Sequence, residues 1–463
     1  MAGWEHLLPK VVDMIRLEIA LVALVGAVTV RAACIPPSDQ HNISIVSCGA
    51  STSSSDNKAP IDNALLSAAT YKTGIFVPPG VFLTSGNHTP PSGVGIYGPG
   101  TLKLTGGSTP IVDTAHSGNT ISGPTFDLSL CPRGTFCAAI DIDGGSSGTV
   151  VSGVTTNGRI LSYVRNGGTS PTQISIRDNV LFSVRVGGTG GGAIEINAST
   201  HFSVVGNQIL PPAGTPPSIG AGSDGAGIVV ATNSNHGDVI GNDTEWNVGS
   251  GIYLLGAQDV TIIGNQCSNN GQSGIGVNSA FTPRPGRLTI NSNICTHNRY
   301  DGIDINEGSG TQSVYLTIQG NYLASNGTPK TGGTGVYLQS VANVVISSNT
   351  IFDNGTAGIW VNVSQNVAVT GNVVGNNSRN GPSACSPTVK TISCPGILVS
   401  GSLFNTFSGN ISSNNGGSPS QSYGILEADD ACDFNTYTGN NGHDNIKGSL
   451  SILGKHDAQA ANL

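Results

Sequence analysis

Residues 251–277 read GIYLLGAQDVTIIGNQCSNNGQSGIGV and contain one complete unit of the repeat that decides the fold. The unit opens with Gly-Ile-x-Leu at Gly251, and an Asn follows 14 residues later at Asn265. The next unit opens at Gly274, so one repeat is as short as 23 residues. Apolar residues at every second position of the opening indicate a β-strand.

The same two landmarks recur along the chain with variable spacing between them. A fixed landmark with insertions indicates a solenoid whose extra residues form loops. The units open at Gly227, Gly251, Gly274, Gly302, Gly335, Gly358, Gly396 and Gly424. The recurring asparagines are Asn207, Asn242, Asn265, Asn293, Asn321, Asn349, Asn372, Asn410 and Asn440.

A unit of 23 residues is too short for a strand and a helix, but it suits a coil of three short strands. Stacked coils would pair equivalent strands in parallel about 4.8 Å apart. The asparagines would then bond to one another along the axis, as identical side chains do in cross-β ladders. The sequence therefore predicts a single-stranded parallel β-helix of about eleven coils between Ile140 and Asn440.

Composition agrees with this fold and restricts the partners. Gly accounts for 66 of 463 residues, and only 10% of residues are charged. Such a chain suits many tight turns and short buried strands. The net charge of −8, without basic runs, argues against nucleic acid as a partner.

The N-terminus predicts export. An apolar run, residues 19–30, follows Lys10 and Arg16 and precedes small residues. It is too short to span a membrane, but it is typical of a signal peptide, here residues 1–33. Residues 34–58 form a polar lead-in, residues 59–445 the β-helix with an N-terminal cap, and residues 446–463 a tail.

Nine cysteines fit an oxidising compartment. Their spacing predicts local disulfides for Cys34/Cys48, Cys131/Cys137 and Cys385/Cys394. Two others, Cys267 and Cys295, each lie two residues after a ladder Asn, so we expect a stacked pair, either a disulfide or two thiols. Cys432 is left over.

Residues 60–71 predict a short amphipathic helix with Ile61, Leu65 and Ala68 on one face, followed by a strand, a Pro-Gly turn and another strand. This segment, with Val77-Pro-Pro-Gly80-Val-Phe82, resembles the N-terminal cap of the pectate-lyase-like β-helix superfamily. The resemblance implies right-handed winding and a carbohydrate-facing groove. It does not imply one activity, because lyases, polygalacturonases, epimerases and phage tailspikes share the fold.

Alternating residues of each opening strand would point outward in two vertical columns. The first column brings aromatic residues close to a carboxylate, and the second runs amides beside them. This arrangement predicts a sugar-binding strip made of Tyr253, Tyr337, Trp360, Asn306, Gln339, Asn362 and Glu307 around Asp304.

Five residues at one coil form the predicted catalytic set. Functional residues concentrate on loops of a rigid scaffold, and the coils opening at Gly274 and Gly302 both carry insertions, around residues 279–287 and 307–315. The set is His297, Arg299, Tyr300, Asp301 and Asp304. It would serve either proton abstraction beside a uronic-acid carboxylate or acid–base glycoside hydrolysis.

Two family motifs match only in part. Asn298-Arg-Tyr-Asp301-Gly-Ile-Asp304 resembles the Asn-Thr-Asp-Gly-Ile-Asp stretch of polygalacturonases with one residue inserted, but their paired aspartates and Gly-His-Gly are missing. Residues 302–306 resemble the Gly-Phe-Asp-Pro-His stretch of mannuronan epimerases, with Asn306 where their catalytic His stands.

The sequence therefore favours a polysaccharide lyase or epimerase acting on a uronic-acid polymer. A glycoside hydrolase and a non-catalytic adhesin stay open as alternatives. No metal is required by this prediction, although the pairs Asp141/Asp143 and Asp429/Asp430 are candidate calcium ligands.

Overall fold

A computed structural model describes residues 34–35, 41–105, 109–131, 137–164, 168–184, 191–212, 214, 218–278, 286–306, 312–380, 394–414 and 421–463. These residues form three long parallel sheets, and from Ile111 to Ser413 each coil passes through sheets 1, 2 and 3 in that order. The predicted parallel β-helix is confirmed.

Sheet 1 contains the Gly-Ile-x-Val strands. It has 13 strands, 11 of which lie between Ala138 and Glu427, as the predicted coil count requires. The strands are Ile111–Thr114, Ala138–Asp143, Arg159–Ser162, Gly192–Ile196, Ala226–Val230, Ile252–Leu255, Ile275–Asn278, Ile303–Asn306, Val336–Gln339, Ile359–Asn362, Ile397–Ser400, Tyr423–Glu427 and Gly448–Ser451.

Sheets 2 and 3 form the other two faces of the coils. Within the described residues sheet 2 has 16 strands and sheet 3 has 13. The strands of sheet 2 are Asn42–Ser44, Gly74–Phe76, Gly95–Tyr97, Thr120–Ser122, Val150–Ser152, Thr172–Arg177, Thr200–Val205, Asn235–Ile240, Gln258–Ile263, Gly286–Asn291, Gln312–Gln319, Val341–Ser347, Gln365–Thr370, Thr406–Ser408, Thr436–Thr438 and Ala458–Ala460. Those of sheet 3 are Val81–Thr84, Thr101–Leu104, Thr125–Asp127, Thr155–Thr156, Val180–Phe182, Gln208–Leu210, Asp243–Glu245, Gln266–Ser268, Ile294–Thr296, Tyr322–Ala324, Thr350–Phe352, Val373–Gly375 and Ile411–Ser413.

The sheets extend beyond the predicted bounds of the β-helix at both ends. Asn42–Ser44 pairs with Gly74–Phe76, and Ala458–Ala460 pairs with Thr436–Thr438. The polar lead-in and the tail therefore each contribute strands. Their sequences lack the Gly-Ile landmark on which the bounds depended.

A helix closes the N-terminal end of the coil stack. It spans Lys58–Tyr71 and buries Ile61, Ala64, Leu65 and Ala68, so the predicted amphipathic helix is confirmed. A 3₁₀ helix, Ile45–Cys48, precedes it. An open β-helix end exposes apolar core and unpaired strands, which explains why a helix covers it.

The asparagine ladder is confirmed in every predicted member. Each Nδ2 donates to the Oδ1 of the Asn one coil further on, at 2.9–3.0 Å. The ladder also continues to Asn179 and Asn462. Since these side chains lie in the interior, mutual bonding satisfies amides that would otherwise be costly to bury.

A second ladder lies five residues further along each coil. It comprises Asn247, Asn270, Asn298, Asn326, Asn354 and Asn377, bonded in the same way at 2.8–3.0 Å. It holds the turn that leads into sheet 1. Asn298, in the predicted catalytic turn, therefore has a structural role.

The cysteines follow the predicted pairing where they are described. Disulfides join Cys34 to Cys48 and Cys131 to Cys137. Cys267 and Cys295 are buried thiols in neighbouring strands of sheet 3, which makes them the stacked thiol pair. Cys385 lies outside the described residues. Cys432 is a buried thiol.

Candidate functional site

The outer face of sheet 1 carries the two predicted columns in register. Tyr253 is aligned with Gly276, Gly276 with Asp304, Asp304 with Tyr337, and Tyr337 with Trp360. The amide column runs beside them through Asn278, Asn306, Gln339 and Asn362 and ends at Ser400. The predicted aromatic strip beside Asp304 is therefore one continuous surface of neighbouring strands.

A pocket opens in this surface because glycine interrupts the first column. A Cβ at Gly276 would lie 2.9 Å from Cδ2 of Tyr253 and 3.2 Å from Oγ of Ser250, so the ring leans over the gap. The pocket has a volume of about 290 Å³. Its described lining is Ser250, Tyr253, Gln272, Ser273, Gly276, Val277, Asn278, Tyr300, Asp301, Asp304 and Asn306.

Asp304 is the most unusual group in the pocket. Its Oδ1 is shielded from solvent and accepts no hydrogen bond from any described residue. Burial raises the pKa of Asp304 well above its usual range, and the nearby Asp301 carboxylate raises it further. The side chain is therefore held as a neutral acid over a wider pH range than an ordinary aspartate.

Asp301 is held by the next coil. Its Oδ1 accepts hydrogen bonds from the backbone N–H and the hydroxyl of Thr334, at 2.6 and 2.7 Å. Burial raises the pKa of Asp301, while the two bonds from Thr334 act in the opposite direction. Two carboxyls in one pocket make it unfavourable for both to ionise, so the ionisation of Asp304 depends on that of Asp301.

Tyr253 and Tyr337 stand on either side of Asp304. Burial raises the pKa of both phenols, and the charge of Asp304 raises it further. A hydrogen bond with Asn278 acts against the rise in the pKa of Tyr253, and Asn362 donates to the Tyr337 hydroxyl at 3.2 Å. In each case the amide comes from the second column, one coil further on.

Trp360 continues the aromatic wall. Its ring packs edge-on against Tyr337, with centroids 5.1 Å apart. Its Nε1 donates to Oγ of Ser400 at 2.9 Å. The indole is thus fixed by bonds along its polar edge, and it remains partly accessible to solvent.

Two predicted site residues, His297 and Arg299, lie outside the described pocket lining. His297 is exposed with a left-handed backbone, φ 57°, in the turn before the ladder residue Asn298. Arg299 stacks over the ring of Tyr300, 5.8 Å from its centroid, while Tyr300 itself lines the pocket. Glu307 and most of the two predicted insertions, residues 279–287 and 307–315, lie outside the described residues.

The open part of the column is limited at both ends. Below Tyr253, Val229 is buried on the outer face, and above Trp360, Leu398 and Leu426 are buried. The accessible stretch from Tyr253 to Trp360 covers four strand spacings, or about 19 Å. This makes the surface a short cleft.

Further toward the N-terminus, side chains whose positions the repeat does not predict cover the outer face of sheet 1. Leu161 lies in the first column between Asp141 and Glu195, although no Gly-Ile opening marks its strand. Arg159 is 2% exposed and pairs with Glu195, and its Nε donates to the carbonyl of Gly192.

The candidate calcium ligands lie in two different environments. Asp141 is completely buried, and Asp429 accepts a hydrogen bond from the backbone of Gly401. No cluster of three or more His, Cys, Asp or Glu side chains that could hold a metal occurs in the described ranges. Among the helices described, none is long and apolar enough to cross a membrane.

The sequence matches the family described as right-handed beta helix region over residues 138–313 and 283–441. No curated protein matches it. The resemblance to solved structures extends over most of the chain.

The A-module of the mannuronan C-5 epimerase AlgE6 from Azotobacter vinelandii is 16% identical with a TM-score of 0.50, over 91% of this chain and 99% of that one. A tailspike protein mutant of E. coli bacteriophage HK620, in complex with a pentasaccharide, is 11% identical with a TM-score of 0.56, over 91% and 78%. PfbA, a surface adhesin of Streptococcus pneumoniae, is 13% identical with a TM-score of 0.52, over 86% and 92%. At these identities the likeness shows the shared fold.

Proposed function

The chain belongs to the right-handed β-helix family, and from this premise we propose that it is an exported enzyme that binds a polysaccharide in the cleft of sheet 1 and acts on a uronic-acid polymer. The observation that carries the proposal is the carboxyl of Asp304. Its Oδ1 is unbonded, in a pocket walled by aromatic and amide side chains. Buried polar atoms without partners are rare and costly, and they concentrate at functional sites.

The cleft has the chemistry of a sugar-binding surface. The rings of Tyr253, Tyr337 and Trp360 offer flat apolar area to sugar faces, and the amide column offers donors and acceptors to hydroxyls. All three aromatic side chains are partly accessible. The length of about four strand spacings suits a short run of sugar units rather than a long polymer stretch.

Asp304 suits a reaction on a uronic acid because its raised pKa widens the pH range over which it is neutral. A neutral carboxyl donates a hydrogen bond to the substrate carboxylate, and it stabilises the extra charge that develops there when the proton on carbon 5 is removed. An ionised aspartate would instead repel the polymer.

Asp301 is the candidate base in this scheme. Thr334 occupies its Oδ1, which leaves Oδ2 to take the proton from carbon 5. If the bond from carbon 4 to the glycosidic oxygen then breaks, a double bond forms between carbons 4 and 5, and Tyr300 protonates the departing oxygen. If Tyr300 instead protonates carbon 5 from the other face, the product is the epimer.

Glycoside hydrolysis is the second candidate. Two carboxyls share the pocket, and its described lining includes no Arg or Lys to attract a polyanion. One carboxyl held as an acid and one as a base is the arrangement that hydrolysis requires. Export is supported by residues 19–30 and by the two disulfides.

The test is to incubate the protein with alginate, pectate and glycosaminoglycans. Ultraviolet absorbance of an unsaturated uronate indicates elimination, reducing ends without that absorbance indicate hydrolysis, and proton NMR of the polymer detects epimerisation. We expect Asp304→Asn to lower the rate by about 10²–10⁴-fold.

The matched control is Asp238→Asn, since Asp238 is exposed on the outer face of sheet 2. Full activity of Asp304→Asn would remove Asp304 from the reaction. Binding without turnover on every polymer would leave a non-catalytic adhesin.

A further inference from the structure

Two tyrosines border Asp304, but neither phenol satisfies its Oδ1. Both lie near enough for the charge of Asp304 to raise their pKa. A phenol can donate to a carboxyl oxygen, and once the carboxyl is ionised such a bond is stronger than one to an amide. The absence of a tyrosine–Asp304 bond therefore requires a cause.

The cause for Tyr337 is a directed chain of hydrogen bonds. Trp360 Nε1 donates to Ser400 Oγ, and Ser400 Oγ donates to Asn362 Oδ1 at 2.8 Å. Asn362 Nδ2 donates to the Tyr337 hydroxyl, which in turn donates to Gln339 Oε1 at 2.8 Å. The chain crosses three coils of sheet 1.

The direction of this chain is fixed at its start. An indole N–H can only donate, so the Ser400 hydroxyl accepts from Trp360 and donates its own proton to Asn362. That assigns Oδ1 of Asn362 to Ser400 and Nδ2 to Tyr337. The hydroxyl of Tyr337 thus accepts from Asn362, and its single proton goes to Gln339.

We propose that Gln339 and Asn362 are positioning residues that commit the Tyr337 hydroxyl to the amide column, so that Oδ1 of Asp304 is kept for a ligand. The inference rests on the proposed function for the identity of that ligand, but not for the hydrogen-bond geometry. On the other side of Asp304, the phenol of Tyr253 also has a hydrogen bond with an amide of the second column, Asn278.

The ionisable groups around Asp304 are Asp301, Tyr253, Tyr300 and Tyr337. None of them donates to its Oδ1 in this structure. If the side chain at position 339 lost its acceptor oxygen, the Tyr337 hydroxyl would need another acceptor. The carboxyl of Asp304 would be the strongest acceptor nearby. A hydrogen bond to the ionised carboxylate would lower its proton affinity.

The test is a carboxyl-detected NMR titration of Asp304 in the whole protein without substrate. Gln339→Met keeps the volume of the side chain and removes the acceptor. We expect the titration midpoint of Asp304 to move down by about one pH unit, a tenfold loss of proton affinity. On an active substrate, the alkaline limb of the pH–rate profile should move in the same direction.

Tyr337→Phe supplies the control, because it removes the proton that would be redirected. The double variant Tyr337→Phe/Gln339→Met should titrate like Tyr337→Phe alone. An unchanged midpoint in Gln339→Met, or an equal fall in the double variant, would overturn the proposal. Inactivity on every polymer would count against the proposed function only, since the titration needs no substrate.

Discussion

Glu427 and Asp304 both lie in sheet 1, four coils apart, and both are carboxyls with restricted access to solvent. Glu427 faces the core in register with Val399 and is completely buried. Its Oε1 accepts from Tyr437 at 2.6 Å and from Asn435 at 3.1 Å. Its Oε2 accepts from the backbone of Leu453 and Gly454 at 2.7 and 2.9 Å.

Asp304 faces outward, and its Oδ1 has no such partner. The same scaffold has therefore satisfied one carboxyl completely and left the other incomplete. A carboxylate with four donors ties the last coil to the body of the protein. An unsatisfied one at the mouth of a pocket lowers stability, which indicates a role other than folding.

The largest expected effect is the loss of the satisfied carboxylate. Glu427→Val matches the side chain one coil below, but it removes the acceptor of the buried Tyr437 and Asn435 side chains and of the more accessible backbone N–H groups of Leu453 and Gly454. We expect the free energy of unfolding to fall by about 3 kcal/mol or more. Chemical denaturation measures the loss, and limited proteolysis should release residues 448–463 first. An unchanged stability would contradict a clamping role for Glu427.

Replacing the unsatisfied carboxyl of Asp304 should raise the stability of the protein at alkaline pH, whereas replacing Glu427 lowers it. The pKa of Asp304 is raised in the folded protein, so its contribution to stability is complete at pH values below its pKa in the unfolded chain. That contribution is lost as the pH rises through the folded-state pKa, by at most about 1.4 kcal/mol per pH unit. Asp304→Asn removes this loss.

We therefore expect Asp304→Asn to melt above the wild-type protein in alkaline buffer and close to it in acid. The melting temperature as a function of pH measures the difference, with Asp238→Asn as the variant that should follow the wild type throughout. Some pH dependence of the melting temperature persists in the variant because the pKa of Asp301 is also raised. A variant that is less stable than the wild type at alkaline pH would show that the charge of Asp304 is compensated.

The repeat predicts nearly all of the interior because each coil is aligned on the one before it. One short unit gives the strand, the ladder position and the outward residues, and stacking carries them to every other coil. The second ladder could also be predicted from the sequence, since each of its asparagines follows a first-ladder asparagine by five residues.

The repeat predicts less of the surface because side-chain direction and coverage differ from coil to coil. It places Asp304 beside Tyr337, but it does not show that the phenol bonds to Gln339. It also places His297 in the same coil as Asp304, whereas the left-handed turn leaves that side chain exposed and outside the pocket lining. Arg159 pairs with Glu195 across a sequence distance that no local pattern encodes.

The smallest expected effect concerns the glycine that opens the pocket. Gly276→Ala adds a methyl group 2.9 Å from the Tyr253 ring, which must move, while the backbone at Gly276 is not in the left-handed region. The stability of the protein should change by less than about 1 kcal/mol, since the methyl displaces an outward ring and crowds one further atom, the Oγ of Ser250 at 3.2 Å. Because the same methyl occupies the floor of the pocket, we expect oligosaccharide affinity to fall by about tenfold.

Gly286→Ala is the control, because a Cβ there meets nothing within 4 Å. Isothermal titration calorimetry measures the oligosaccharide affinity of the two variants. Equal affinity would show that the ligand does not reach the gap between Tyr253 and Asp304. The unsatisfied carboxyl of Asp304 would then need an explanation other than ligand binding.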